Sequence, residues 1–189
     1  MDGTLIGTFH RARSTRVVFE YTAEALRTPL SLSLPKDRRH HPNAALNYLN
    51  NLLPDRRQTR DAWAQIHGTT TDTFDLLSAV GEDVAGAVSL SADAGRPDGD
   101  PAPLVEVTED DFAARIAALR HNPDVWVDPR AKPRMSLAGT QPKFSVARVS
   151  GRQFWSTYEV PSTHIVKPAS PKHPHLDSLE AASLGLARD

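Results

Sequence analysis

The sequence contains no cysteine. That excludes a disulfide framework and any thiolate metal site. It also has almost no net charge: 22 Lys and Arg stand against 23 Asp and Glu, leaving -1. No global field is available to gather nucleic acid or an anionic membrane, so direct nucleic-acid binding and membrane association are not expected. Long apolar runs are missing as well. The N-terminus has no apolar leader core, and no stretch approaches a membrane span. A cytoplasmic protein is the expectation. What is present suits globular packing: 189 residues, 39% hydrophobic and 24% charged, enough for one domain or two small ones.

Taken in order, Asp2-Gly3 is a hairpin turn signal, and residues 4–9 read as the strand after it. The chain is expected to open inside its own first hairpin. Residues 16–21 give a second strand, and Thr22 is placed to cap a short helix through Leu26. Leu30, Leu32 and Leu34 alternate with serines and predict an extended segment. The basic loop 36–41 carries His40 and His41, adjacent and without a third ligand, and reads as solvated.

Pro42 opens a helix whose apolar stripe is Leu46, Leu49, Leu52 and Leu53, ended by Pro54. Residues 55–67 form the next helix, with Trp63 and Ile66 inward and Gly68 as the stop. Asp72 caps a third helix with Phe74, Leu76, Leu77 and Val80 inward, closed by Gly81. Residues 84–90 return as a strand. The Asp-, Gly- and Pro-rich stretch 92–103 is a linker. Residues 105–107 are extended, and Thr108 with Asp111 forms a capping pair for a helix to Arg120. Residues 122–133 read as loop. The last helix, 177–189, carries apolar Leu179, Ala182, Leu184 and Leu186 and is expected to stop mid-helix.

The chain is organised around residues 134–144, R-M-S-L-A-G-T-Q-P-K-F. A small-residue run is followed by an alternating strand through Phe144, Val146 and Val149. A turn at Ser150-Gly151 leads to a strand with Phe154 and Trp155, and a third strand, T-H-I-V-K, ends at Lys167. Small residues let backbone N–H groups approach phosphate oxygens, and a neighbouring lysine can hold them as a point charge. The loop matches neither G-x-x-x-x-G-K-[ST] nor G-x-G-x-x-G.

The S-L-A-G-T-Q-P-K-F and S-T-H-I-V-K-P segments resemble the HipA family of serine/threonine kinases, the toxins of bacterial toxin–antitoxin pairs. P-L-S-L-S-L-P at 29–35, N-N-L-L-P-D at 50–55 and T-F-D-L-L-S-A-V-G-E-D-V-A-G-A-V at 73–88 resemble the N-terminal subdomain of that family. The resemblance implies an α+β fold: a small mixed N-terminal subdomain (1–91), a linker and connecting helix (92–133), and the start of a kinase-like ATP-binding lobe of antiparallel strands plus a helix (134–189).

It further implies ATP with Mg²⁺ as cofactors. Ala138, Gly139, Thr140, Gln141, Lys143, Lys167 and Glu180 are its nucleotide-site residues, and Ser136 is the autophosphorylation position. For Lys143, solvent and phosphate orientations both stay open. Pro142 departs from the more polar residue usual there and removes one N–H donor. His164, Trp63 and Trp155 are read as packing residues. A D-G-H-x-x-N-like catalytic loop and a later metal-binding D-x-x-S-like element do not occur, so no catalytic residue and no Mg²⁺ ligand is assigned. The implied partners are a HipB-like DNA-binding antitoxin and a protein substrate such as an aminoacyl-tRNA synthetase. The alternative is a non-catalytic module that docks an antitoxin or a separately encoded kinase subunit.

Overall fold

The computed structural model describes residues 4–12, 16–23, 28–37, 40–86, 88–92, 103–124, 126, 135–157, 160–170 and 173–188. The fold is α+β, and the chain packs as two compact units: residues 1–101 with 134–139, and residues 102–133 with 140–189. The turn at Asp2-Gly3, the helix expected at 24–26, most of the 92–103 linker and most of the 122–133 loop lie outside the described residues.

In the first unit, strands β1 (Gly7–Arg11) and β2 (Val17–Tyr21) pair antiparallel with Phe9 opposite Phe19. Alternation puts Val17 and Phe19 inward, and Phe9 stacks on Tyr48 of helix α1 (Ala44–Asn50). The Thr22 hydroxyl donates to the Leu5 carbonyl and its N–H to the Ile6 carbonyl, lengthening the hairpin. The segment expected to be extended at 30–34 is a tight turn instead. Leu34 N–H reaches back to the Ser31 carbonyl at 2.9 Å, so Leu34 is fully buried while Leu32 is 91% exposed. The Tyr21 hydroxyl fastens this turn, donating to the Leu34 carbonyl and accepting from Leu30 N–H.

Helix α1 ends at Asn50, before the whole leucine stripe is used. Leu46 is exposed; Leu52 and Leu53 are buried from the turn that follows. Helix α2 (Arg57–His67) buries Trp63 and stops at Gly68, whose φ of 63° suits a residue without Cβ. Helix α3 (Thr73–Val80) starts on the Asp72 carboxylate, which accepts from Phe74 and Asp75 N–H, and buries Leu76, Leu77 and Val80. The strand expected at 84–90 is cut to β3 (Asp83–Val84), because Gly86, at φ 97°, turns the chain and Val88 bridges back to Val84. Its ladder partner is β4 (Met135–Ser136), parallel, with Asp83 opposite Met135 and Val84 opposite Ser136. Parallel pairing of segments some fifty residues apart leaves no local pattern to read.

In the second unit, helix α4 (Glu109–His121) opens with the expected capping box of Thr108 and Asp111. Strands β5 (Phe144–Val149), β6 (Arg152–Phe154) and β7 (His164–Val166) form an antiparallel sheet ordered β6-β5-β7. Residues 105–107 flank β6 through a Glu106–Phe154 bridge. The first four residues of β5 are buried on both faces, while Val149 is exposed. Helix α5 (Leu176–Leu186) buries none of its residues. Among the described residues no helix is long and apolar enough to cross a membrane.

Candidate functional site

Apart from Leu137, residues 136–140 have small side chains, so backbone bonds do much to fix them. Ser136 stands in β4 opposite Val84, and Leu137 is buried. Gly139 takes φ 100°, a left-handed value that favours glycine. Its carbonyl accepts from Asp55 N–H at 3.2 Å, and it bridges Pro54 in parallel. Ala138 and Gly139 thus lie in the first unit. Thr140, Gln141, Lys143, Lys167 and Glu180 lie in the second. Thr140 is exposed; Ala138 and Gln141 are half-buried.

Lys143 does not point into solvent. It is 5% exposed, and its ammonium sits 4.3 Å from the centre of the Trp126 ring. That geometry is a cation–π contact, favourable where water is excluded. Trp126 is held in turn: its indole N–H donates to the Pro123 carbonyl at 2.7 Å, and buried Arg115 donates to its own carbonyl. Phe112 meets Phe144 edge-on beside them. The sequence reading missed Trp126 and Arg115. The signal available was a tryptophan between two valines in an otherwise polar, Pro-rich stretch.

Lys167 follows β7, and Glu180 lies on α5. The structure brings them together, with the Lys167 ammonium donating to Glu180 Oε1. Glu180 is half-buried on a helix whose other described residues are exposed. The two side chains are 32% and 39% exposed, so water screens the pair and its net contribution to stability is small. Its geometric consequence is larger, since it fixes where a strand-end cation stands.

His164, expected to pack, is exposed, and its Nδ1 meets the Thr163 hydroxyl at 2.7 Å. That hydroxyl also accepts from Arg148 N–H at 2.8 Å, extending the β5–β7 pairing by one bond. Trp155 is half-buried against Phe144. Trp63 is fully buried as expected. Among the described residues no three His, Cys, Asp or Glu side chains gather to hold a metal.

These elements define an α+β protein in which a strand-end lysine is ion-paired to a helix glutamate. Residues 1–91 match the HipA N-terminal domain. A Sinorhizobium fredii protein named "Putative kinase Y4mE" is 30% identical over 194 residues, which cover 98% of this chain and 46% of that protein. The serine/threonine-protein kinase toxin HipA of Shewanella oneidensis is 31% identical over 165 residues, 85% of this chain and 36% of that one. A chain in the solved complex of the Shewanella oneidensis MR-1 toxin–antitoxin system, HipA, HipB and its operator DNA, superposes with a TM-score of 0.60 at 28% identity. That match covers 86% of this chain and 38% of the other. The chain belongs to the HipA family. It spans less than half the length of the curated relatives it matches.

Proposed function

We propose that this chain forms the nucleotide-binding front of a HipA-type serine/threonine protein kinase, the toxin of a toxin–antitoxin pair. The observation that carries this reading is the ion pair between Lys167 and Glu180. In kinase sites a strand lysine contacts nucleotide phosphates, and a helix glutamate keeps it there. ATP, when bound, supplies the phosphoryl group. Lys167 binds and orients the phosphates; Ala138, Gly139, Thr140 and Gln141 present loop backbone to them. Lys143 closes the loop, anchored by Trp126 rather than extended to phosphate. Ser136 is the self-modified position. No Mg²⁺ ligand is assigned among the described residues, and no step is assigned to a metal.

On this reading residues 1–91 are the N-terminal subdomain, 92–133 the linker and connecting helix, and 134–189 the opening of the ATP-binding lobe. The partners are a HipB-like antitoxin and a protein substrate, by family an aminoacyl-tRNA synthetase, in the cytoplasm. A second reading has residues 1–91 as a docking module for the antitoxin, favoured by the first unit's own core around Trp63 and Leu76.

Calorimetric titration of the chain with ATP, beside Lys167→Ala and Glu180→Gln, tests the nucleotide reading. A charge-assisted phosphate bond contributes roughly 1.5–3 kcal/mol, so Lys167→Ala is expected to weaken binding at least about tenfold, and Glu180→Gln less. Equal binding by all three proteins, or no binding by the wild type, rejects it. Antitoxin binding without nucleotide binding then supports the docking module.

A further inference from the structure

Beyond the buried Leu137, the small-residue loop has few side-chain anchors, and a further hold lies in a turn remote in sequence. Gly139 bonds to Asp55 and bridges Pro54. Pro54 is buried, and its carbonyl accepts from Arg60 Nε at 2.6 Å. The same guanidinium reaches the Asn50 side-chain and backbone oxygens, each at 3.4 Å. The Asn50 side-chain oxygen also accepts from the Thr73 hydroxyl. One fork therefore joins the last residue of α1 to the turn that carries Gly139.

The stability of its own helix, α2, does not explain this arginine. Asn50 ends α1, so its carbonyl is one of the orphan acceptors of a helix C-terminus, where a cation is favourable. Arg60 itself stands near the start of α2, which has no acidic residue in its first turn and no side-chain cap. There a cation meets the positive end of the helix dipole. Burial also draws its pKa down, against the pull of the Asp55 carboxylate. The guanidinium sits at an unfavourable end of α2 and satisfies the C-terminus of α1 and the turn after it instead.

We infer that Arg60, with Asn50, is a positioning residue for the nucleotide loop, acting through Pro54 and Asp55 on Gly139. The inference rests on the loop being the phosphate-contacting element. It gives the N-N-L-L-P-D segment of the N-terminal subdomain a part in nucleotide binding, besides any docking.

The test compares the full chain with Arg60→Met. Amide exchange is read at Asp55 and in α3, and ATP affinity by titration. Arg60→Met should speed Asp55 exchange about tenfold, the loss of one charge-assisted hydrogen bond, and leave Leu76 and Leu77 unchanged. ATP affinity should fall severalfold. Ser78→Gly, on the exposed side of α3, weakens the same unit without touching the turn and should keep wild-type affinity. If Arg60→Met does not fold, Arg60→Lys, which keeps the charge but not the fork, carries the same comparison. Unchanged Asp55 exchange overturns the inference, as does faster exchange with wild-type ATP affinity. A wild-type chain that binds no ATP rejects the proposed function separately, and Asp55 exchange alone then decides whether Arg60 holds the loop.

Discussion

Thr108 and Asp111 show how far single residues reach. The Thr108 hydroxyl donates to the Asp111 carboxylate and accepts from Asp111 N–H, and the carboxylate takes Thr108 N–H as well. The Thr108 hydroxyl first, and its backbone N–H second, hold the Asp111 carboxyl below its ordinary value of 3.8. The folded value is the depressed one. This contribution is therefore present above the unfolded value and lost as pH falls through the folded value. Urea midpoints measured on acidification should drop, and Asp111→Asn should remove part of that slope. A part remains, because Glu106, held low chiefly by its hydrogen bond from Arg152, titrates in the same direction. An unaltered slope in Asp111→Asn would rule the cap out as its source. Trp126 is the opposite kind of residue, an anchor rather than a cap. Trp126→Ala removes the ring under Lys143 and a buried volume, and is expected to cost the second unit about 3–5 kcal/mol in denaturant unfolding. A loss under about 1 kcal/mol would mean that the site collapses to fill the gap.

Elements were legible in the sequence where their signals are local. Asp72 and the Thr108–Asp111 box name two helix starts, and Gly68 names a stop, because caps act within a turn. The pattern failed where a turn interrupts it. Leu32 and Leu34 share a period-2 face only in an extended chain, and the Ser31–Leu34 bond folds that chain back. At α5 the apolar residues Leu179, Leu184 and Leu186 are exposed. An eleven-residue helix without buried contacts is marginal in water. Amides of α5 should therefore exchange within the dead time of a manual experiment, while those of α2 and α3, around Trp63, Leu76 and Val80, stay protected. Protection of α5 comparable to α3 would contradict this.

At the scale of the molecule, the candidate site was legible as residues but not as geometry. Lys167 and Glu180 could be matched from the sequence, and they do meet. The bond from Asp55 to Gly139 and the pairing of β3 with β4 could not, since each spans about fifty residues or more. These two contacts give residues 135–139 their place: the chain leaves the second unit, pairs in the first and returns. A modification at Ser136 therefore bears on a segment that both neighbours in sequence leave behind. A phosphoryl group there adds about 1.5–2 negative charges. Arg130, Lys132 and Arg134, the cations nearest in sequence, lie outside the described residues. A ladder two residues long has little to set against a group of that charge. Phosphoserine installed at 136 is expected to unpair β4, speed exchange from Met135 to Gly139 and lower ATP affinity, making Ser136 a self-inhibitory switch. The comparison is ATP titration and amide exchange of the phosphorylated chain against the unmodified chain and Ser136→Ala. Equal ATP affinity in the phosphorylated and unmodified chains would refute the switch even if β4 exchanges faster.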